Sequence, residues 1–479
     1  MKKRVSACLA VLMALLPNTV LAAEEIPLRQ TIFGTERVVA YWVLGVCSAA
    51  FLTLVCIWSV KLKHGHVGVH GKEQSAVTFE HGSCGNETGS GKGNLPLSFS
   101  SALQKGKRLR EGEKKMDPIG LYIHIPFCAS KCGYCDFYSE TSQEGKEAYV
   151  QGLLEEIRSY RAEGVSADTL FIGGGTPSVM EAGQLVRLLN ACREAFGLSG
   201  ECTLEANPDS VSPAFLKEVR AGGFNRISFG AQSTVNEELR ALGRRHDADR
   251  IGTAVRWARE AGFENLSLDV MLGIPGQDAK SLAFTLDAFG ALQPEHLSCY
   301  LLKIEEGTPF YRQHAERLCA GDDEAADLYL QAVETLEKMG YGQYEISNFA
   351  KPGRACRHNL KYWRCQEYLG FGPAAHSFYK GKRFFHPRGM AEYLKSGGRN
   401  RIPDGDGGSG EERILLGLRL TEGIRLRELP LPEAEAESFR KKCGVYEKAG
   451  LLRIADGRMR MTPKGFLVSN QLLAELLDF

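Results

Sequence analysis

The segment Leu121-Tyr-Ile-His-Ile-Pro-Phe-Cys-Ala-Ser-Lys-Cys-Gly-Tyr-Cys-Asp-Phe137 constrains this chain more than any other. A short apolar strand runs directly into Cys128, Cys132 and Cys135, spaced C-x3-C-x2-C. Three thiolates on one tight loop can each take one iron of a [4Fe–4S] cluster, which leaves the fourth iron without a protein ligand nearby. An open iron can be chelated by a small molecule, as a catalytic metal keeps one coordination position free. Grouped cysteines also suit a zinc knuckle short of its fourth ligand, or plain buried thiols. The spacing, placed straight after a strand, favours the cluster.

The rest of the chain from Gly120 to Leu302 alternates short apolar runs with longer amphipathic ones, the pattern of βα units feeding a parallel sheet. Strands are expected at 121–125, 169–172, 202–206, 226–231, 266–272 and 296–302, with helices such as 146–161, 182–196, 248–261 and 280–292 between them. The fold class is therefore α/β, a partial (β/α)6 barrel, because right-handed crossovers curl consecutive units together. In such barrels chemistry gathers at the C-terminal strand ends. The cysteine loop follows the first strand and Gly173-Gly-Gly-Thr-Pro177 the second. Glu205 with Asn207-Pro208 closes the third, Gln232 the fourth, and Asp269 lies in the fifth before Gly273-Ile-Pro-Gly276. Each alone reads as a cap or a tight turn; in step with the cysteines they outline one pocket.

These residues make the chain similar to the radical S-adenosylmethionine (SAM) superfamily, and within it to the group formed by oxygen-independent coproporphyrinogen III oxidases and the HemW-type haem chaperones. The resemblance runs from about Met116 to the C-terminus. It implies that Cys128, Cys132 and Cys135 hold a [4Fe–4S] cluster, and that Tyr122, Tyr134, Gly174, Gly175, Thr176, Glu205, Gln232, Arg244 and Asp269 contact SAM. Bare backbone at the glycines would admit the methionyl end, and carboxylates would accept from the amine and ribose. Two departures argue against the oxidase: Asp136 is followed by Phe137 where that enzyme carries a further cysteine, and its substrate-binding prelude is missing upstream. Arg357-His-Asn-Leu-Lys-Tyr-Trp363 matches the H-N-x-x-Y-W motif of the HemW type, which implies haem ligation by His358. His376 lies nearby as either a second ligand or a structural residue. The implied function is to bind haem and hand it to an acceptor protein, with anaerobic coproporphyrinogen decarboxylation as the alternative. The catalytic residues, the acceptor and the oligomeric state, a homodimer included, stay open.

The domain order expected is a barrel at 116–345, a haem-motif region at 346–405 and a winged-helix-like α+β module at 406–479. Upstream, residues 1–23 have the shape of a signal peptide, 38–60 form an uncharged run long enough to cross a bilayer, and 61–115 read as a linker. Basic residues after the run place the downstream chain in the cytoplasm, tethered to the membrane. A start codon set too early is the other reading of this segment. A net charge of +1 offers nucleic acid no concentrated basic face, and the 14 cysteines are scattered as reduced thiols.

Overall fold

The structure, a computed structural model, describes residues 117–477. The signal-peptide, membrane-span and linker expectations at 1–23, 38–60 and 61–115 lie outside the described residues. Among the described residues, no helix is long and apolar enough to cross a membrane.

Six strands lie where the apolar runs placed them: β1 (Ile119–Ile125), β2 (Ala167–Gly174), β3 (Glu201–Ala206), β4 (Arg226–Gln232), β5 (Leu266–Leu272) and β6 (His296–Leu301). They pair in sequence order and in parallel. Sheets covered on both faces read as continuous apolar runs, and all seven residues of β1 are buried. The crossovers are α1 (Lys146–Ser159), α2 (Ala182–Phe196), α3 (Pro213–Gly222), α4 (Asn236–Ala241), α5 (Ala248–Glu260) and α6 (Ala279–Ala291). Their starts are chemically marked. The Ser212 hydroxyl accepts from the Phe215 amide, Asp247 from Arg250, and Asp278 from Lys280 and Ser281.

The sheet is larger than six strands. After α7 (Pro309–Arg312) and α8 (Asp322–Lys338), β7 (Gly342–Gln343) and β8 (Asn348–Ala350) extend the β6 edge antiparallel. Then α9 (Arg357–Trp363) leads to β9 (Tyr368–Phe371), which joins the opposite edge parallel to β1. Next come β10 (His376–Tyr379), β11 (Lys382–Phe385), α10 (Met390–Ser396) and β12 (Ile402–Asp406), which complete a twelve-stranded order β12-β11-β10-β9-β1-β2-β3-β4-β5-β6-β8-β7. The region 346–405, expected as a haem-motif region, thus supplies β8 beside β6 and most of the opposite edge, β9 to β12. Short strands that rely on distant partners leave no periodic signal.

The chain closes with α11 (Gly410–Gly417), β13 (Ile424–Arg425), α12 (Glu433–Lys448), β14 (Leu452–Ala455), β15 (Arg458–Met461), α13 (Pro463–Leu467) and α14 (Ser469–Leu477). Its three short strands form a separate antiparallel sheet in the order β13-β15-β14.

Candidate functional site

The cysteine loop leaves the C-terminal end of β1 and is tied to the next strand by backbone. Gly175 and Thr176 donate their amides to Ile125 O (2.7 Å) and Phe127 O (2.8 Å). This approach leaves no room at position 175: a Cβ there would lie 2.8 Å from both carbonyls and 3.1 Å from Cys128 Sγ. Cys128 is buried, Cys132 and Cys135 half-buried, and α7 backs the loop with Phe310, whose amide donates to Gly133 O at 2.8 Å. Among the described residues no group of His, Cys, Asp or Glu is arranged to share one metal ion. A cubane asks for something else, because each thiolate binds its own iron corner.

Two of the thiols face the strand tips. Cys128 Sγ lies 3.4 Å from Thr176 Oγ1, and the Arg244 guanidinium donates to Cys132 Sγ at 3.6 Å. That guanidinium also donates to Asn207 Oδ1 and Gly230 O, each at 2.6 Å, and Asn207 Nδ2 donates to Thr176 Oγ1 at 3.2 Å. Asn207 is therefore the hinge pin between the glycine turn and Arg244; its Asn-Pro position after a strand was visible, its bridging role was not. A Cβ on Gly230 would lie 3.0 Å from Gln232 Nε2 and 3.1 Å from Arg244 Nη2, so Gln232 belongs to the same group. Gln232 itself has φ 69, an uncommon conformation for a side-chain-bearing residue, where β4 slips register against β5.

The acidic tips sit one layer deeper. Glu205 accepts from the Gly174 amide at 3.1 Å, and Asp269 Oδ1 accepts from Ser228 Oγ at 3.3 Å. Burial, and then the neighbouring Asp269 charge, pushes Glu205 up to about 8. Burial pushes Asp269 up to about 6, against the pull of Ser298, Arg226 and Ser228. A cationic amine arriving here would relieve both carboxyls. Burial also raises the Cys128 thiol, and takes Cys135 up to about 12. Metal binding at these sulfurs would release protons. Tyr134, half-buried beside Arg244, packs edge-on against Phe310 (6.2 Å). Tyr122 is wholly buried, its hydroxyl 3.1 Å from His124 Nδ1. Ten of the thirteen expected residues therefore sit at or under one mouth: the three cysteines, Tyr134, Gly174, Gly175, Thr176, Glu205, Gln232 and Arg244. Asp269 lies close enough to Glu205 for their charges to interact, and Tyr122 is buried in β1.

His358 is the exception. Helix α9 plugs the N-terminal end of the strands, opposite the cysteines: Lys361 donates to Pro118 O (2.7 Å), the Arg357 and His358 amides donate to Glu201 (3.1 and 3.0 Å), and Arg357 pairs with Asp168. His358 is 1% exposed, with Nδ1 2.9 Å from Thr169 Oγ1 and Nε2 2.7 Å from Tyr362 Oη. Both nitrogens are engaged inside the protein, at the strand end away from the cysteines, where the expectation had His358 ligating haem. Cys356 is buried against Glu201 and Cys365 lies near Glu412.

A parallel βα sheet with three cysteines beneath a glycine turn defines the class. Residues 122–289 match the model of the radical SAM superfamily, and 409–468 match the HemN C-terminal domain. The Lactococcus lactis heme chaperone HemW is 34% identical over 375 residues, 75% of this chain and 97% of its own length. The Bacillus subtilis heme chaperone HemW is 35% identical, covering 74% and 98%. The solved coproporphyrinogen III oxidase HemN of Escherichia coli superposes with TM-score 0.66 at 23% identity, covering 76% of this chain and 91% of that one, a likeness of fold alone. The chain belongs to the HemW family of heme chaperones.

Proposed function

We propose that this protein binds haem and passes it to an acceptor protein, and that it carries a [4Fe–4S] cluster on Cys128, Cys132 and Cys135 with SAM at the open corner. The observation that carries the cofactor half is the convergence of Cys128 and Cys132 with Thr176, Asn207 and Arg244 at one end of the sheet, with Cys135 close enough to interact electrostatically with both other thiols. Gly174 and Gly175 leave backbone uncovered for a close-bound ligand, Glu205 and Asp269 stand ready to accept from an amine or hydroxyls, and Tyr134 supplies an aromatic edge. When bound, the cluster supplies an electron for reductive cleavage of SAM. The chain's own part is to hold the donors, keep Arg244 against Cys132 and shield the site. Family membership carries the haem half, and the reading places the protein in the cytoplasm, where its thiols stay reduced.

Reconstituted protein is expected to show cluster absorbance with iron and sulfide bound, and Cys132→Ala to lose most of both. Retention of full iron and sulfide by that variant sinks the cluster assignment. A haem Soret band and transfer to an apo-haemoprotein support the carrier role. Product from coproporphyrinogen III with SAM and a reductant would replace it with the decarboxylase.

A further inference from the structure

The mouth holds a histidine outside the proposed cluster and SAM contacts. His376 opens β10, and because β10 runs antiparallel to β9, its first residue lies at the same end of the sheet as the cysteine loop. Register settles which face it shares. Gly120 pairs with Tyr368 and Tyr122 with Gly370, while Phe378 pairs with Tyr368; Phe378 and His376 therefore share the face of Tyr122 and His124. Gly370 occupies that face of β9, so no β9 side chain stands level with His376.

The ring is held but not satisfied. It stacks on Phe385, its cross-strand partner, at 5.0 Å and 24°. Its Nδ1 is buried with no hydrogen-bond partner, at a residue 8% exposed. Buried imidazole nitrogens ordinarily find a partner, and one left bare in a native fold is a place to look for a ligand. The contrast with His358 is direct, since that ring spends both nitrogens on Thr169 and Tyr362.

The surroundings suit a flat anionic metal complex. Burial first, then Arg383 and Arg388, push the His376 ring down to about 3, which keeps it in the neutral form that ligates metal. Arg388 reaches the rim, 59% exposed, in a loose 3.4 Å pair with Asp136, the residue after Cys135. The same limb of the cysteine loop is tied to this region: the Met390 amide donates to Tyr138 Oη, and Tyr138 stacks on His124 at 6.2 Å.

We propose that His376, and not His358, is the protein ligand to haem iron, with Arg388 facing the propionates, and that α9 is a structural plug at the closed end of the sheet. This assignment rests on the haem-carrier function proposed for the protein. It places haem at the same mouth as the cluster.

The test is anaerobic haem titration of the full-length protein, read by Soret position, affinity and electron paramagnetic resonance. His376→Ala is expected to weaken binding at least ten-fold and shift the Soret band, with added imidazole restoring the wild-type position. His376→Cys is expected to give a thiolate-type spectrum, which a merely structural histidine would not produce. His358→Phe is expected to melt lower yet keep wild-type haem spectrum and affinity. Wild-type spectra from both His376 variants, or loss of the histidine signature in His358→Phe alone, overturns the assignment. If His376→Ala cannot hold its cluster, His376→Gln takes its place under the same criteria. Absence of any Soret band in the wild type is a different failure: it removes the carrier function itself, and this assignment with it.

Discussion

Gly175 shows how much a single missing methyl can carry. Its neighbours are two backbone carbonyls and a thiol, none of them the flexible end of a side chain, so an added Cβ has to push the cysteine loop away from β2. Gly175→Ala is expected to keep the secondary structure but lose more than half of the cluster iron per chain after reconstitution, measured by iron and sulfide content with circular dichroism as control. Gly174 is tighter still: with φ 108, its Cβ would meet the His124 ring at 2.5 Å. The sequence pointed to both glycines because they follow a strand and stand beside cysteines. It pointed equally to His358, whose ring lies at the opposite end of the sheet with both nitrogens hydrogen-bonded, because a motif names residue types without saying which end of a barrel they occupy. Nothing local in Gly-Pro-Ala-Ala-His376 distinguishes a bare imidazole from a bonded one; only packing reveals Nδ1 without a partner.

At the scale of elements, the late strands need an anchor, and Glu156 on α1 supplies it. Its carboxylate is 2% exposed, accepts from Tyr393 Oη (2.6 Å) and Arg401 Nη2 (3.2 Å), and lies 3.0 Å from His386 Nε2. Those partners lie between β11 and β12, so one residue of the first crossover helix holds an edge formed much later in the chain, as the Glu156–Arg401 separation of 245 shows. Removing one member of a buried charged set leaves the others unpaired, at a cost of about 3–5 kcal/mol. Glu156→Ala is expected to lower the denaturation midpoint by that order and to raise amide exchange first in β11, α10 and β12. Uniform loss of protection across the sheet would contradict the anchoring role. Helices α2, α5 and α6 were legible almost to the residue, since three-to-four apolar spacing and Asp or Glu starts agree there. The edges were not, because β7 to β9 are two to four residues long and acquire their meaning from β6 and β1.

At the scale of the whole molecule, several titratable groups are buried among the described residues, and their shifts have opposite signs. Burial lowers His124 and His246 to about 4 and His358 and His376 to about 3, from 6.5. Below pH 6.5 the unfolded chain takes protons that these folded rings refuse, so their contribution to stability is present above 6.5 and is lost as pH falls towards 3–4. Glu205, raised from 4.5 to about 8, and Glu345, raised by burial from 4.5 to about 7, act the other way: the folded state keeps protons that the unfolded chain has released, so their contribution is full below 4.5 and is lost as pH rises from there to 7 and 8. Each group contributes a slope of at most about 1.4 kcal/mol per pH unit. The melting temperature of the cofactor-free protein is expected to peak near about pH 6–7, with Glu205→Gln flattening the alkaline limb and His358→Phe the acid one. A melting curve that rises steadily to about pH 8.5 would show these shifts to be wrong in direction.

Spacing and periodicity alone determined the cysteine loop, the six parallel strands and the residues at their tips, because each is written in side chains within a few positions of one another. Which edge receives β9, how the acidic tips couple, and the fact that α9 closes one end of the sheet while His376 opens at the other were decided by tertiary structure. Those outcomes depend on strand register and burial between segments far apart in the chain, such as Thr169–His358 at a separation of 189 and Asp136–Arg388 at 252. No local pattern encodes the free energy of such pairings, which appears only when both partners leave water together.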